Sequence, residues 1–117
     1  MGFKFEKLKV WQKAIDFSTD IHNLTKKFPQ EELYILTTQI KRAADSTVLN
    51  IAEGSTGQTN AEFRRFLGYA IRSEIEAVSC LYIGKNRKII NKADFNKLYT
   101  NAEEIIRMLQ GLRNSLK

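Results

Sequence analysis

Across the last quarter of the chain, apolar side chains recur at alternating intervals of three and four: Phe95, Leu98, Ala102, Ile105, Leu109, Leu112 and Leu116. Three heptads of that period call for a helix that buries one stripe against other helices. A strand would instead bring every second residue to one face. Near the start of the chain, Val10, Ala14, Phe17, Ile21, Leu24 and Phe28 keep the same spacing. They predict a helix over residues 8–27, with Trp11 beside the stripe to anchor its start. Pro29 ends that helix and holds Phe28 extended. With one proline and six glycines in 117 residues, the chain has few places to turn, so long helices are favoured over many short strands.

Residues 31–53 form the next predicted helix, opened by Glu31 and Glu32, which suit the positive end of the helix dipole. Leu33, Leu36, Ile40, Ala43, Ala44, Thr47 and Ile51 gather on one side. Beside them Gln39, Arg42, Ser46, Asn50 and Glu53 fall within roughly 60° of one another. This ordered polar stripe reads either as a solvated face or as a second contact surface. Gly54 is placed for the left-handed residue that ends many helices. Residues 54–58 hold two glycines but neither the spacing nor the Lys-Ser/Thr end of a phosphate loop, and are read as a connector.

Thr59 with Glu62 is a capping-box pattern that opens a third helix over residues 60–86. Phe63, Leu67, Ile71, Ile75 and Val78 run along one side of it, and Phe66, Ala70, Ser73, Ala77, Cys80 and Gly84 along another. Tyr69, Leu81, Tyr82 and Ile83 add apolar surface outside both, so this helix is either the most buried one or part of an interface between copies. Asn91 with Asp94 caps a fourth helix that runs to about residue 115. Short connections between long helices make neighbours antiparallel. The expected fold is all-α: an antiparallel, up-down-up-down four-helix bundle forming one domain over residues 1–117.

Cys80 is the only cysteine, which excludes an intrachain disulfide and a cysteine-based zinc site. The chain has neither a signal-peptide pattern nor an apolar run long enough to span a bilayer, so a cytoplasmic protein without membrane contact is expected. Its net charge of +6 suits a polyanionic partner. Lys85, Arg87, Lys88 and Lys92 crowd the third connection, Arg64 and Arg65 lie early in the third helix, and Lys9 and Lys13 lie early in the first. These eight are the candidate nucleic-acid contacts; the competing reading for Lys85, Arg87 and Lys88 is stabilisation of a helix C-terminus.

Several segments resemble one bacterial family. Lys9-Val10-Trp11-Gln12-Lys13-Ala14, then Leu24-Thr25 before Phe28-Pro29, match its first helix. Leu36-Thr37-Thr38-Gln39-Ile40-Lys41-Arg42-Ala43-Ala44, Ser46 and Asn50-Ile51-Ala52-Glu53-Gly54 match its second. Phe63, Phe66-Leu67, Ala70, Ser73 and Glu76 match its third. The family is the four-helix-bundle protein encoded in intervening sequences of 23S ribosomal RNA genes, sometimes labelled a ribosomal S23 protein. It is similar to the accessory variability protein of diversity-generating retroelements. The resemblance implies a homopentamer without known catalysis, and for the retroelement relatives binding to nucleic acid and to a reverse transcriptase. The family pattern has glycine where this chain has Arg72, and leucines at Glu74 and Ala77.

Enzyme chemistry finds little footing. A di-iron bundle needs paired Glu-x-x-His motifs, and the single histidine, His22, has no glutamate at that offset. A nucleotide-binding helical ribonuclease would place an arginine shortly before the histidine, and none stands there. No metal and no cofactor are expected, and His22 is read as a boundary residue of the first helix. Gln39, Arg42, Ser46, Asn50, Glu53 and Glu76 are instead read as a polar network or interface, with Arg42 pairing a carboxylate across the second and third helices. The expected function is a noncatalytic oligomer that binds RNA or DNA through a basic surface; the alternative is a protein-interaction scaffold with no nucleic-acid ligand.

Overall fold

The computed structural model describes residues 2–117. Four helices carry the fold: α1 (Lys9–Thr25), α2 (Thr38–Ser55), α3 (Asn60–Asn86) and α4 (Lys92–Ser115). Each packs on its neighbours in the chain, and α1 closes against α4. Ser46 meets Ser73 and Gln39 meets Glu76, so α2 and α3 run in opposite senses. Arg64 meets Arg113 while Tyr82 meets Phe95, which sets α3 against α4 in the same way. Lys13 pairs with Glu104 and Lys27 with Asp94, so α1 and α4 are also opposed. The four-helix bundle therefore has one end made of the start of α1, the end of α2, the start of α3 and the end of α4.

The heptad stripes of α1 and α4 lie where their spacing puts them. Val10, Ala14, Phe17, Ile21, Leu24 and Phe28 are buried, as are Phe95, Leu98, Ala102, Ile105 and Leu109. Leu112 and Leu116 pack on the core only in part. Both predicted caps form: the Thr59 hydroxyl accepts from Glu62 N–H at 3.0 Å, and Asn91 Oδ1 accepts from Asp94 N–H at 2.7 Å. The Glu62 carboxylate returns to Gln58 N–H at 3.2 Å, one residue earlier than a closed capping box would place it. Trp11 packs its ring on Phe5, with centroids 4.8 Å apart, and ties the leading 3₁₀ turn Lys4–Lys7 to α1.

Three expectations are corrected. The second helix does not begin as an α-helix at residue 31. A 3₁₀ turn, Gln30–Glu32, leads into a π-helical turn, Leu33–Thr37, and α2 starts only at Thr38. The wider turn changes the register, so Leu36 and Thr37 are buried while Leu33 is left exposed. Gly54 is helical and not left-handed; among the described residues no glycine has positive φ. It serves close approach instead, since a Cβ there would stand 2.6 Å from Phe66 Cβ and 3.1 Å from Phe63 Cδ1. The left-handed residue lies at the end of α3, at Lys88 with φ 63°. There the Gly84 carbonyl accepts from both Ile89 and Ile90 N–H, at 2.8 and 3.1 Å, and turns the chain toward α4.

The third correction concerns the inner face of α3. Its buried seam is Phe63, Leu67, Ala70, Glu74, Ala77, Leu81 and Gly84, a strict alternation of four and three. Ile75, expected on the apolar side, is exposed, and a carboxylate occupies the central position of the seam.

Candidate nucleic-acid interface

The eight basic residues singled out by sequence do not form one patch, because antiparallel packing sends them to opposite ends. Lys9, Lys13, Arg64 and Arg65 share the end that holds the start of α1. Lys85, Arg87, Lys88 and Lys92 share the other. Several are already engaged. Lys13 pairs with Glu104 at 3.0 Å, and Arg87 faces Glu32 at 3.6 Å. Lys85 Nζ stands 4.3 Å from the centroid of the Phe95 ring. Lys9 and Lys92 are exposed on the first turns of α1 and α4.

A denser cationic feature runs between α3 and α4. Arg65, Gly68, Tyr69, Ile71 and Arg72 line one side of a groove of about 280 Å³, and Arg113 crosses to it from α4. The Arg113 guanidinium lies over Gly68, its central carbon 3.6 Å from where a Cβ would stand, an ordinary contact distance. An adjoining groove shares Arg65 and Arg113 and adds Arg64 and Lys117. Arg64 Nη1 donates to the Arg113 carbonyl at 2.6 Å, which locks the ends of the two helices together. No Asp or Glu side chain lines either groove. Among the described residues Arg72 and Arg113 have no ion-pair partner, and Arg65 approaches Glu62 only at 3.9 Å. Sequence reading had Arg64 and Arg65 but not Arg113 or Lys117, which reach the site only through the register of α4 on α3. Arg72, one of the departures from the resembled family's pattern, also lines the groove.

The polar stripe of α2 is brought together only in part. Gln39 Nε2 donates to Glu76 Oε2 at 2.5 Å, and Arg42 Nη2 donates to Gln39 Oε1 at 3.3 Å. Arg42 thus reaches the carboxylate of α3 through an amide and not by the direct pairing expected, and this group of side chains is exposed. Deeper in, the Ser46 and Ser73 hydroxyls meet at 2.9 Å, and Asn50 Nδ2 donates to the Ser46 carbonyl and hydroxyl at 2.9 and 3.1 Å. The exposed Glu53 side chain joins neither group. It lies seven residues, about two turns, past Ser46, the last residue of α2 whose side chain meets α3 through a hydrogen bond.

Two polar clusters escaped the sequence reading. Ser18 donates to Asp45 Oδ1 at 2.5 Å, and His22 Nε2 stands 3.3 and 3.4 Å from the two oxygens of the same carboxylate. Because the hydroxyl and the imidazole both bond to Asp45 and not to each other, the histidine cannot act as base to the serine in this arrangement. The cluster clamps α1 to α2. Glu74 is fully buried, and burial pushes its carboxyl from the ordinary 4.5 up to about 7, opposed by the nearby Thr47 hydroxyl. Neither of its oxygens has a hydrogen-bond partner, because Thr47 gives its own hydrogen bond to the Ala43 carbonyl at 3.3 Å. Burial, then the Glu76 charge, push the Cys80 thiol up as well, so it behaves as a small apolar filler. Among the described residues no three His, Cys, Asp or Glu side chains converge to hold a metal ion, and no helix is long and apolar enough to cross a membrane.

Residues 6–111 match the family model described as 23S rRNA-intervening sequence protein. Among solved structures, a protein of unknown function from the S23 ribosomal protein family of Bacteroides thetaiotaomicron superposes with a TM-score of 0.83. It is 24% identical, with 89% of this chain and 97% of that one covered, a likeness that supports the fold alone. Comparison with curated proteins gives no match.

Proposed function

The chain belongs to the 23S rRNA-intervening sequence protein family, and from that premise we propose that it is a noncatalytic, self-associating helical bundle that contacts RNA or DNA through the arginine tract between α3 and α4. One observation carries the reading: two adjoining grooves share Arg65 and Arg113, and no acidic side chain lines them. Such a surface collects phosphates, and each phosphate neutralised releases a condensed counterion. The chain offers no recognition-helix or RNA-recognition signature, so the expected binding tolerates sequence and depends steeply on salt.

Fluorescence anisotropy with labelled RNA and DNA oligonucleotides tests this. If four arginines each displace one counterion, affinity falls roughly 50- to 150-fold between about 50 and 200 mM salt. Replacing Arg72 and Arg113 by alanine lowers affinity and flattens the salt dependence by about one counterion each. The same change at Lys88 and Lys92, at the far end of the bundle, does neither. Absence of binding at low salt, or binding indifferent to salt, overturns the reading.

Self-association is supported by apolar side chains left without cover on two different faces. Leu33 and Leu49 line one groove along α2, with Tyr34 and Ile35 exposed beside Leu33 in the chain. Ile75, Tyr82 and Ile83 are exposed on α3. Two unlike patches on one chain suit a head-to-tail contact that closes into a ring, in keeping with the pentamer implied by family resemblance. Light scattering decides it: a multiple of the chain mass is expected, with a monomer for Leu49→Asp, and a wild-type monomer at every concentration refutes it. The same patches favour the second reading, a scaffold for another protein such as a reverse transcriptase. That reading prevails if the oligomer forms but no nucleic acid binds.

A further inference from the structure

The tract between α3 and α4 is not uniformly cationic, and the exception indicates which form of nucleic acid it fits. Arg65, Gly68, Tyr69 and Arg72 follow the spacing three, one, three, so they lie along one stripe of α3. The two arginines stand about 10 Å apart along the helix axis, at about 1.5 Å per residue. Between them are a glycine, over which Arg113 lies, and a tyrosine that is 42% exposed. The Tyr69 ring is held in place. It meets Phe66 edge-on at 5.4 Å and 79°, and Phe66 in turn lies 5.5 Å from the Arg65 guanidinium. A fixed aromatic ring flanked by guanidinium groups offers a base platform between two phosphate contacts. In a duplex the bases are stacked on one another and paired, so the ring would find no partner. In a single strand they are free to stack on it.

We infer that this groove is a single-strand subsite, with Tyr69 stacking a base and Arg65, Arg72 and Arg113 holding the phosphates on either side. The inference rests on the proposed nucleic-acid binding and narrows it to unpaired strands. Strand chemistry is not discriminated, because the contacts fall on base and phosphate and leave the sugar aside.

The test uses the full chain with labelled oligo-U, oligo-dT and a mixed-sequence duplex. Wild type binds the single strands more tightly than the duplex. Tyr69→Ala weakens single-strand binding about 5- to 100-fold and changes duplex binding less than about twofold, whereas Tyr69→Phe keeps the ring and the affinity. Unchanged helical circular dichroism and melting confirm that the exposed position leaves the fold intact. If Tyr69→Ala leaves single-strand affinity unchanged, or lowers both affinities equally, the subsite is refuted while salt-dependent binding to the basic tract stands. If wild type binds none of the three probes, the proposed function itself fails.

Discussion

Replacing Glu74 removes a charge from the centre of the bundle, and its effect can be worked out from the structure. The native carboxyl titrates near 7 against an ordinary value of 4.5, so the folded state holds the proton more tightly than the unfolded one. Stability is then greatest below about pH 4.5, where both states are protonated, and is lost as pH rises to about 7, beyond which the loss is constant. At about 1.36 kcal/mol per pH unit, that window is worth about 3 kcal/mol. A domain of this size has only about 5–15 kcal/mol in total. The Thr47 hydroxyl opposes the shift, but it offsets little of the cost, since neither carboxylate oxygen has a partner in hydrogen-bond geometry.

Urea unfolding of wild type, Glu74→Gln and Glu74→Leu at fixed protein concentration, from about pH 4 to about pH 8.5, measures this directly. The gap between wild type and Glu74→Gln should widen by about 3 kcal/mol toward the alkaline end. Glu74→Leu should show the same widening plus a constant gain, because it also replaces unsatisfied polar atoms by apolar contact. In thermal melts the alkaline difference corresponds to about 10 °C. Parallel pH profiles for wild type and Glu74→Gln would refute the claim that burial alone keeps this carboxyl protonated.

Backbone positions supply two further tests. Lys88→Gly should stabilise the protein by about 1 kcal/mol by relieving a side chain at φ 63°. Lys88→Ala keeps the strain and should gain nothing, so an equal gain from both variants would rule out the strain account. Gly54→Ala should destabilise by roughly 1–3 kcal/mol, because the new Cβ meets Phe66 Cβ at 2.6 Å in a packed interface. Gly111→Ala, with nothing within 4 Å of its Cβ, should stabilise by about 1 kcal/mol. Denaturant melts of the pair with the same sign would contradict the packing argument.

How far the sequence can be read depends on what each feature requires. The stripes of α1 and α4 were legible because every position in them is apolar. The caps at Thr59 and Asn91 were legible because they are local. The seam of α3 was not, although it is as regular as that of α4. A glutamate at its centre looks like solvent-facing chemistry, and an apolar stripe through Ile75 fits the sequence as well. The π turn at Leu33 was hidden because it changes register without changing composition. Gly54 is helical because its place in the bundle requires close contact with Phe63 and Phe66, and the left-handed residue, Lys88, follows a different helix, α3. The arginine groove lay beyond local reasoning, since Arg113 is separated from Arg65 in the chain and meets it only across two antiparallel helices.

Arg72 and Glu74, the two charges that depart from the pattern of the resembled family, are separated by one residue. Two steps of about 100° put them on nearly opposite faces of α3. One therefore enters the groove and the other the core. The resulting terms are independent: Arg72 lies in open solvent beside other cations, while Glu74 faces α2 and the apolar interior. An exposed guanidinium does little to lower the cost of a carboxylate buried on the far side of a helix, because solvent screens it. The destabilisation at Glu74 is thus not a requirement of the cationic groove. Relieving it leaves Arg65, Arg72 and Arg113 in place, so stability and ligand binding can be varied separately on this one helix.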